Sequence, residues 1–317
     1  MKAVRVNAFG GVDQLELVEL PDPEPQPGQV RIKVKAAGLN YADVIQREGG
    51  YPGGPKPPYI SGFEAAGVVD AVGDGASLPI GARVTAITGT GAHAERVCAY
   101  AMACVPFPES MSFEEAAAFP VQYLTAYHAL ITLGRAVAGE TVLINAAAGG
   151  VGTAAIQIAK VLGLHVVGTA SSEEKRQRIK ELGADEAFAY EEFDRELIGE
   201  RAPRLILESV GGDVFRRSLA ILPSFGRLVV YGAASKQPQP IDTSKLLFRS
   251  QSVLGLHLSA IFERPALMAE SLKQLLGWIG EGKLKIQVGH VLPLAEVREA
   301  HELMSNRQSY GKIVLVP

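Results

Sequence analysis

The sequence predicts an α/β chain in which a doubly wound parallel sheet is inserted into a mainly β domain. Short β-branched runs bounded by Gly, Pro and Asp fill the first third. Strands then alternate with helices, and the tail reverts to the opening pattern. The boundaries drawn on this change are 1–119 with 262–317 for the outer domain and 120–261 for the insert.

In the outer domain "KAVRVNAF", "QVRIKVKAAG", "AAGVVDAVG" and "ARVTAI" read as strands. "ELPDPEPQPGQV" spaces its prolines at alternate positions and reads as an extended connector. "GGYPGGPKPPYISG" reads as a long loop. Near residue 110 the pattern changes. Ser112 with Glu115 three residues on forms a capping box at the head of a long helical stretch running to "AYHALI". Strand "TVLINAA" is followed by a helix from about 151 to 162, then strand "HVVGTA", helix "SEEKRQRIKELG" and a short strand near "EAFAY". Strand "RLILESVG", helix "DVFRRSLAIL" and strands "GRLVVYGA" and "SVLGLHL" complete the insert. Alternation of this kind specifies a parallel sheet covered on both faces. The tail reads as helix "ALMAESLKQLLGWIGEG", strand "KIQVGHVLPL", helix "AEVREAHELMSN" and strand "GKIVLVP".

"TVLINAAAGGVGTAAIQIA" carries no charge over a length close to a membrane span. It is not read as one: it holds Gly149, Gly150 and Gly152, much alanine, Asn145 and Gln157, and no basic cluster flanks it. It reads instead as a buried strand, a tight turn and a helix start, the helix packing back through Ala154, Ala155 and Ile158. The turn Ala147-Ala148-Gly149-Gly150-Val151-Gly152 fits a dinucleotide fingerprint with Ala147 at its first glycine position. Gly149 lets the backbone approach a pyrophosphate, Gly152 lets the helix lie close to the strand, and the helix N-terminus offers N–H donors.

An acidic residue ending the second strand would bind the ribose hydroxyls of NAD. That place holds Ala170-Ser171-Ser172, and Glu173 and Glu174 fall in the next helix. Lys175, one turn from Ser171, can reach a 2′-phosphate, with Arg176 a second candidate, so NADPH is expected over NADH.

Composition narrows the partners. The 317 residues carry a formal net charge of −3, and no basic run suits a phosphate backbone, so no nucleic-acid partner is expected. The first residues alternate like a strand rather than a signal peptide, and Cys98 and Cys104 are too few for a disulfide framework. A cytoplasmic chain with no membrane partner is the expectation.

The arrangement resembles the medium-chain dehydrogenase/reductase superfamily and, within it, the zinc-independent quinone oxidoreductases. The resemblance covers essentially the whole chain. It is carried by "AAGLNYADVIQREGGYP", "GFEAAGVV", "AAAFPVQYLTAYHAL", "AAAGGVGTAAIQIAK" and the closing "GKIVLVP". It implies a Rossmann-type sheet inserted in a GroES-like catalytic domain. Zinc enzymes of the superfamily place a ligand cysteine where this chain has Asn40 and a ligand histidine where it has Phe63, and the cysteine-rich structural lobe is absent. No metal is therefore expected. Glu64 and Asp43 read as buried structural partners, and His93 as a satisfied loop histidine.

Carried over by position, the resemblance puts Asn40 near nicotinamide or substrate, Thr125 on the nicotinamide side, and Val121 where the third zinc ligand sits. Tyr51 matches an aromatic lining the substrate cleft, and Tyr41 is a hydroxyl-donor candidate. Ser171, Lys175 and Tyr190 match 2′-phosphate and adenine contacts; Gly211, Gly232 and Ala233 sit at strand C-terminal ends. The resemblance also implies a homodimer paired through "SVLGLHLS". Ile45 stands where many quinone oxidoreductases carry a second tyrosine, which keeps enone reduction open beside quinone reduction. The expected function is NADPH-dependent, zinc-free reduction of quinones or related α,β-unsaturated carbonyls. The alternatives are an enoyl-thioester or ketone reductase, and a non-catalytic NADPH-binding redox sensor.

Overall fold

The computed structural model describes residues 1–237 and 239–317 and divides into two compact units. The first comprises Met1–Val121 and Ile286–Pro317, the second Gln122–Lys285.

The first unit is built on a mainly antiparallel sheet. In spatial order its strands are Val288–Pro293, Lys312–Val316, Gln29–Leu39, Glu64–Val72, Arg83–Ile87 and Cys104–Pro106, with Arg96–Tyr100 also paired to Gln29–Leu39. The C-terminal strand Lys312–Val316 pairs antiparallel with Gln29–Leu39, which ties the tail into this unit. Alternation in Gln29–Leu39 buries Val30, Ile32 and Val34 on one face and leaves Lys33 and Lys35 exposed. A smaller sheet joins Leu15–Glu19, Lys2–Val6 and Tyr59–Ile60.

The second unit has six parallel strands in the order Glu186–Phe188, His165–Thr169, Thr141–Ile144, Leu205–Glu208, Arg227–Val230 and Ser252–Gly255. Numbered along the chain this is 3-2-1-4-5-6, the doubly wound arrangement, with the order reversing between Thr141–Ile144 and Leu205–Glu208. Helix Gly150–Val161 returns from the first strand, and Ala154, Ala155 and Ile158 are fully buried.

Several local readings are refined. The long helix headed by Ser112 divides: its capping box is present, but the helix ends at Ala117 and a second runs from Pro120 to Tyr127. Pro120 has no N–H and fits only a helix's first turn, so a new helix starts there. A wider helical turn, His128–Leu133, follows. The chain returns to the first unit at Ile286, not at 262. The reason is local: the Gln157 amide brackets the backbone of Lys285, accepting from its N–H at 2.7 Å and donating to its carbonyl at 3.0 Å. Tyr127 likewise donates to Gln274 at 2.6 Å, so helix Pro265–Gly280 stays with the second unit. Helix Tyr41–Arg47 lies in a stretch read as strands and turns.

Among the described residues no helix is long and apolar enough to cross a membrane.

Candidate active site

In the first unit, strand Gln29–Leu39 ends at Asn40, which stands at the N-cap of helix Tyr41–Arg47. The Asn40 amide N–H donates to Asp43 Oδ2 at 2.8 Å. Its side chain is fixed on both ends: Nδ2 donates to Glu64 Oε1 at 2.9 Å, and Oδ1 accepts from Lys312 Nζ at 2.7 Å. Lys312 also donates to Glu64 Oε1 at 2.5 Å, and the other Glu64 oxygen accepts the Val121 amide at 2.9 Å. Asn40 and Val121 are thus brought together by one buried carboxylate, and the amide's orientation is set by its neighbours. Gly38 is forced by this packing: a Cβ there would stand 2.6 Å from Lys312 Cε and 2.9 Å from Glu64 Oε1.

Phe63 meets the Tyr51 ring edge-on, with centroids 5.3 Å apart, so the position of a zinc-ligating histidine is part of an aromatic pair. Burial first, then the nearby Asp43, raises the Tyr51 hydroxyl pKa, which keeps it protonated and able to donate. Tyr41 is partly exposed in the first turn of its helix. Among the described residues no three His, Cys, Asp or Glu side chains are grouped to hold a metal.

Asp43, Glu64 and His93 are all buried. Ser61 Oγ lies 3.0 Å from His93 Nδ1, while His93 Nε2 and Asp43 Oδ1 are without hydrogen-bond partners among the described residues. Burial pushes the Asp43 carboxyl up to about 7 against the lowering pull of the Asn40 amide and Lys312. Burial pushes the His93 imidazole down to about 4. Lys312 and Glu64 have no exposed surface, and the lysine is the member of this cluster that sequence reading missed. The only signal was one charge in the otherwise apolar closing strand "KIVLV".

In the second unit the turn after Thr141–Ile144 has the strand–turn–helix form read from the sequence. Ala146 adopts a left-handed φ of +53°, and Ala147 is fully buried with its amide bonded to the Thr169 carbonyl at 2.9 Å. Gly149 is the N-cap of helix Gly150–Val161; a Cβ on it would meet only the Ala146 carbonyl, at 3.3 Å, leaving its outer side open. A Cβ on Gly152 would stand 2.5 Å from the Ala146 carbonyl and 2.6 Å from Ala147 Cα, so helix and strand touch there. A Cβ on Gly150 would overlap the Gln122 side chain, a neighbour that no motif announces. Val151 is half-buried in the first turn, where N–H groups are without intrahelical partners.

The second strand ends at Thr169 and leads to exposed Ser171. Ser172 caps helix Glu173–Glu181 by accepting the Lys175 amide at 3.3 Å. Lys175 and Arg176 are both partly buried, and Arg176 is paired with Glu173 at 2.7 Å and with the Ala170 carbonyl at 3.3 Å. Thr125 is buried, and the Tyr190 carbonyl accepts from Arg217 at 2.6 Å. Gly211, with a φ of +77°, is the N-cap of helix Gly212–Ile221; Gly232 packs against Ser209, and Ala233 is exposed beside it. Three glycines at a helix N-terminus, next to the reversal in strand order, make a cradle suited to a dinucleotide diphosphate.

The zinc-binding dehydrogenase family profile matches residues 150–276, and the alcohol dehydrogenase GroES-like domain profile matches residues 26–109. Human quinone oxidoreductase is 36% identical over 329 residues, covering 100% of this chain and 98% of that protein. The human synaptic vesicle membrane protein VAT-1 homolog is 32% identical over 341 residues, covering 100% of this chain and 86% of that protein. The quinone oxidoreductase of Thermus thermophilus, whose structure has been solved alone and with NADPH, superposes with a TM-score of 0.89 at 41% identity, covering 100% of both chains.

Proposed function

The chain belongs to the medium-chain dehydrogenase/reductase superfamily as a quinone oxidoreductase-like member, and on that premise we propose that it is an NADPH-dependent, zinc-free reductase of quinones or related α,β-unsaturated carbonyls. The observation that carries the reading is the chemistry at the two positions where zinc relatives hold ligands. Phe63 is paired with Tyr51, and Asn40 is a carboxamide locked between Glu64 and Lys312. Neither supplies a thiolate or imidazole. An alcohol substrate needs its alkoxide stabilised, which zinc does in the relatives. An electron-poor conjugated carbonyl does not, because the charge it gains spreads onto an oxygen that a hydrogen-bond donor serves.

Bound NADPH supplies the hydride; with one proton from solvent, a quinone becomes the hydroquinone and NADP⁺ remains. Gly150, Val151 and Gly152 offer backbone donors to the diphosphate, and Gly149 lets the backbone approach it. Ser171 and Lys175 offer a hydroxyl and an ammonium to the 2′-phosphate, with no carboxylate at the strand end to repel it. Tyr190, Gly211, Gly232 and Ala233 line the remaining strand ends, and Thr125 serves the nicotinamide side. On the acceptor side Tyr51 stacks and donates, Tyr41 is a second donor, and Lys312 holds Asn40 in one orientation. Catalysis is then mostly orientation.

NADPH oxidation against a panel of quinones, enones, enoyl thioesters and aldehydes tests this. Turnover confined to quinones and enones supports it. Turnover only of thioesters or aldehydes moves the assignment to another reductase. Tight NADPH binding with no turnover supports the sensor. We further propose a cytoplasmic homodimer paired through the edge strand Ser252–Gly255; monomer alone in sedimentation at micromolar concentration overturns the dimer.

A further inference from the structure

Glu208 ends the strand Leu205–Glu208 and is fully buried. Its Oε1 accepts the amides of Val210 at 2.5 Å and Gly211 at 2.8 Å, and its Oε2 accepts Asn145 Nδ2 at 2.6 Å. Asn145, also fully buried, donates to Ser218 Oγ at 2.9 Å and accepts from Thr169 Oγ1 at 2.9 Å. One node therefore joins the ends of three adjacent strands. Burial raises the carboxyl's pKa above its ordinary value, and the hydrogen bonds from Gly211, Val210, Asn145 and Ser218 pull it back down. The two amides on Oε1 can only donate, so a proton on that oxygen would displace a bond. The arrangement selects the anion.

The node lies where strand order reverses, beneath the crevice in which open α/β sheets take their ligand. It also holds the turn that follows. Glu208 fixes residues 209–212, and that turn supports the next loop: Ala234 and Ser235 donate to the carbonyls of Ser209 and Val210 at 2.9 and 2.7 Å, and Gly212 donates to Gln237 at 3.2 Å. The carboxylate thus anchors Gly211 directly and, through that turn, the loop at Ala234 and Ser235.

We propose that Glu208 is a positioning residue whose fixed buried charge makes the site bind the oxidised, positively charged nicotinamide more tightly, relative to the reduced form, than a neutral residue would. The inference rests on the NADPH reading above. When the dihydronicotinamide gives its hydride to the acceptor, the ring is left with a positive charge. An anion in a water-poor wall favours that charge and leaves the neutral ring unaffected. The bound cofactor is thereby a stronger reductant than it would be beside a neutral residue, which suits reduction rather than alcohol oxidation. The 2′-phosphate and diphosphate are common to both forms and cancel in the comparison.

Calorimetric dissociation constants for NADPH and NADP⁺ test this without turnover. Glu208→Gln is expected to raise the ratio of the NADP⁺ constant to the NADPH constant by about fivefold to twentyfold, the order expected for the loss of one unit charge in a partly screened interior. Ser218→Ala loosens the node without changing its charge and is expected to hold the ratio within about twofold. An unmoved ratio in Glu208→Gln, with both constants still measurable, overturns the inference alone. A wild-type protein that binds neither form overturns the cofactor reading itself. Should Glu208→Gln fail to fold, Glu208→Asp and Glu208→Asn, equal in size and different in charge, make the same comparison.

Discussion

Lys312 Nζ donates to Glu64 Oε1 at 2.5 Å, and neither side chain has any surface in contact with solvent. The lysine's second bond, to Asn40, places a buried ion pair directly behind a candidate substrate residue. Removing one partner leaves the other charge buried and unpaired. Lys312→Met is therefore expected to lower unfolding free energy by roughly 3–5 kcal/mol in urea titration. Lys312→Met with Glu64→Gln should recover part of that loss, because the uncompensated charge is gone. A double variant less stable than the single one would contradict this.

Gly150 and Gly152 are expected to respond differently to alanine. At Gly152 the new methyl meets backbone, 2.5 Å from the Ala146 carbonyl, and nothing flexible can yield. Gly152→Ala should cost roughly 1–3 kcal/mol and weaken NADPH binding. At Gly150 the methyl meets the end of the Gln122 side chain. Gln122→Ala should rescue Gly150→Ala, whose intrinsic helical preference is then about 1 kcal/mol favourable. Melting temperatures of Gly152→Ala, Gly150→Ala and Gly150→Ala combined with Gln122→Ala decide it.

Lys175→Ala is expected to raise the NADPH dissociation constant about tenfold to a hundredfold, the value of a charge-assisted hydrogen bond to phosphate, and to leave NADH nearly unchanged. Burial lowers the Lys175 pKa, and a 2′-phosphate beside it would raise it again. Equal losses for both cofactors would assign the 2′-phosphate to another residue.

Asp43 gives stability an unusual pH dependence. Its carboxyl is pushed up to about 7 by burial, while an unfolded aspartate titrates near ~3.9. Between these values the folded chain keeps a proton that the unfolded chain has lost. Stability from Asp43 is therefore full below about 4 and falls as pH rises through 7. His93 works in the opposite sense. Lowered to about 4, it stays neutral in the fold while the unfolded ring protonates below ~6.5, so its contribution is lost on acidification. Asp43→Asn should expose this acid loss, giving a steeper fall in stability from neutral to weakly acid pH than wild type. Urea midpoints in half-unit steps between about pH 4.5 and 7.5 measure it; identical slopes would mean that Asp43 is ionised in the fold.

Much of the cofactor side was legible because local rules act there at full strength. An uncharged strand, a side-chain-poor turn and an alanine-rich helix face admit one packing, and Ala146 to Gly152 adopt it. The Ser112–Glu115 capping box was legible for the same reason. Helix Tyr41–Arg47 escapes a local reading although Asn40 and Asp43 have cap spacing, because it is short and lies between a strand pattern and a Gly/Pro-rich loop.

The sequence by itself determined most of the strands and helices of the insert, its doubly wound class and the absence of zinc-ligating residues at positions 40 and 63. Each is written in neighbours a few places apart, through hydrophobic period, backbone freedom or donor chemistry. Tertiary structure alone decided that Lys312 joins Glu64 across 248 positions, that Glu208 joins Asn145 across 63, and that Gln157 closes the second unit at Lys285. A buried charge must find its partner wherever the fold brings one within reach, and no local pattern records which residue that is.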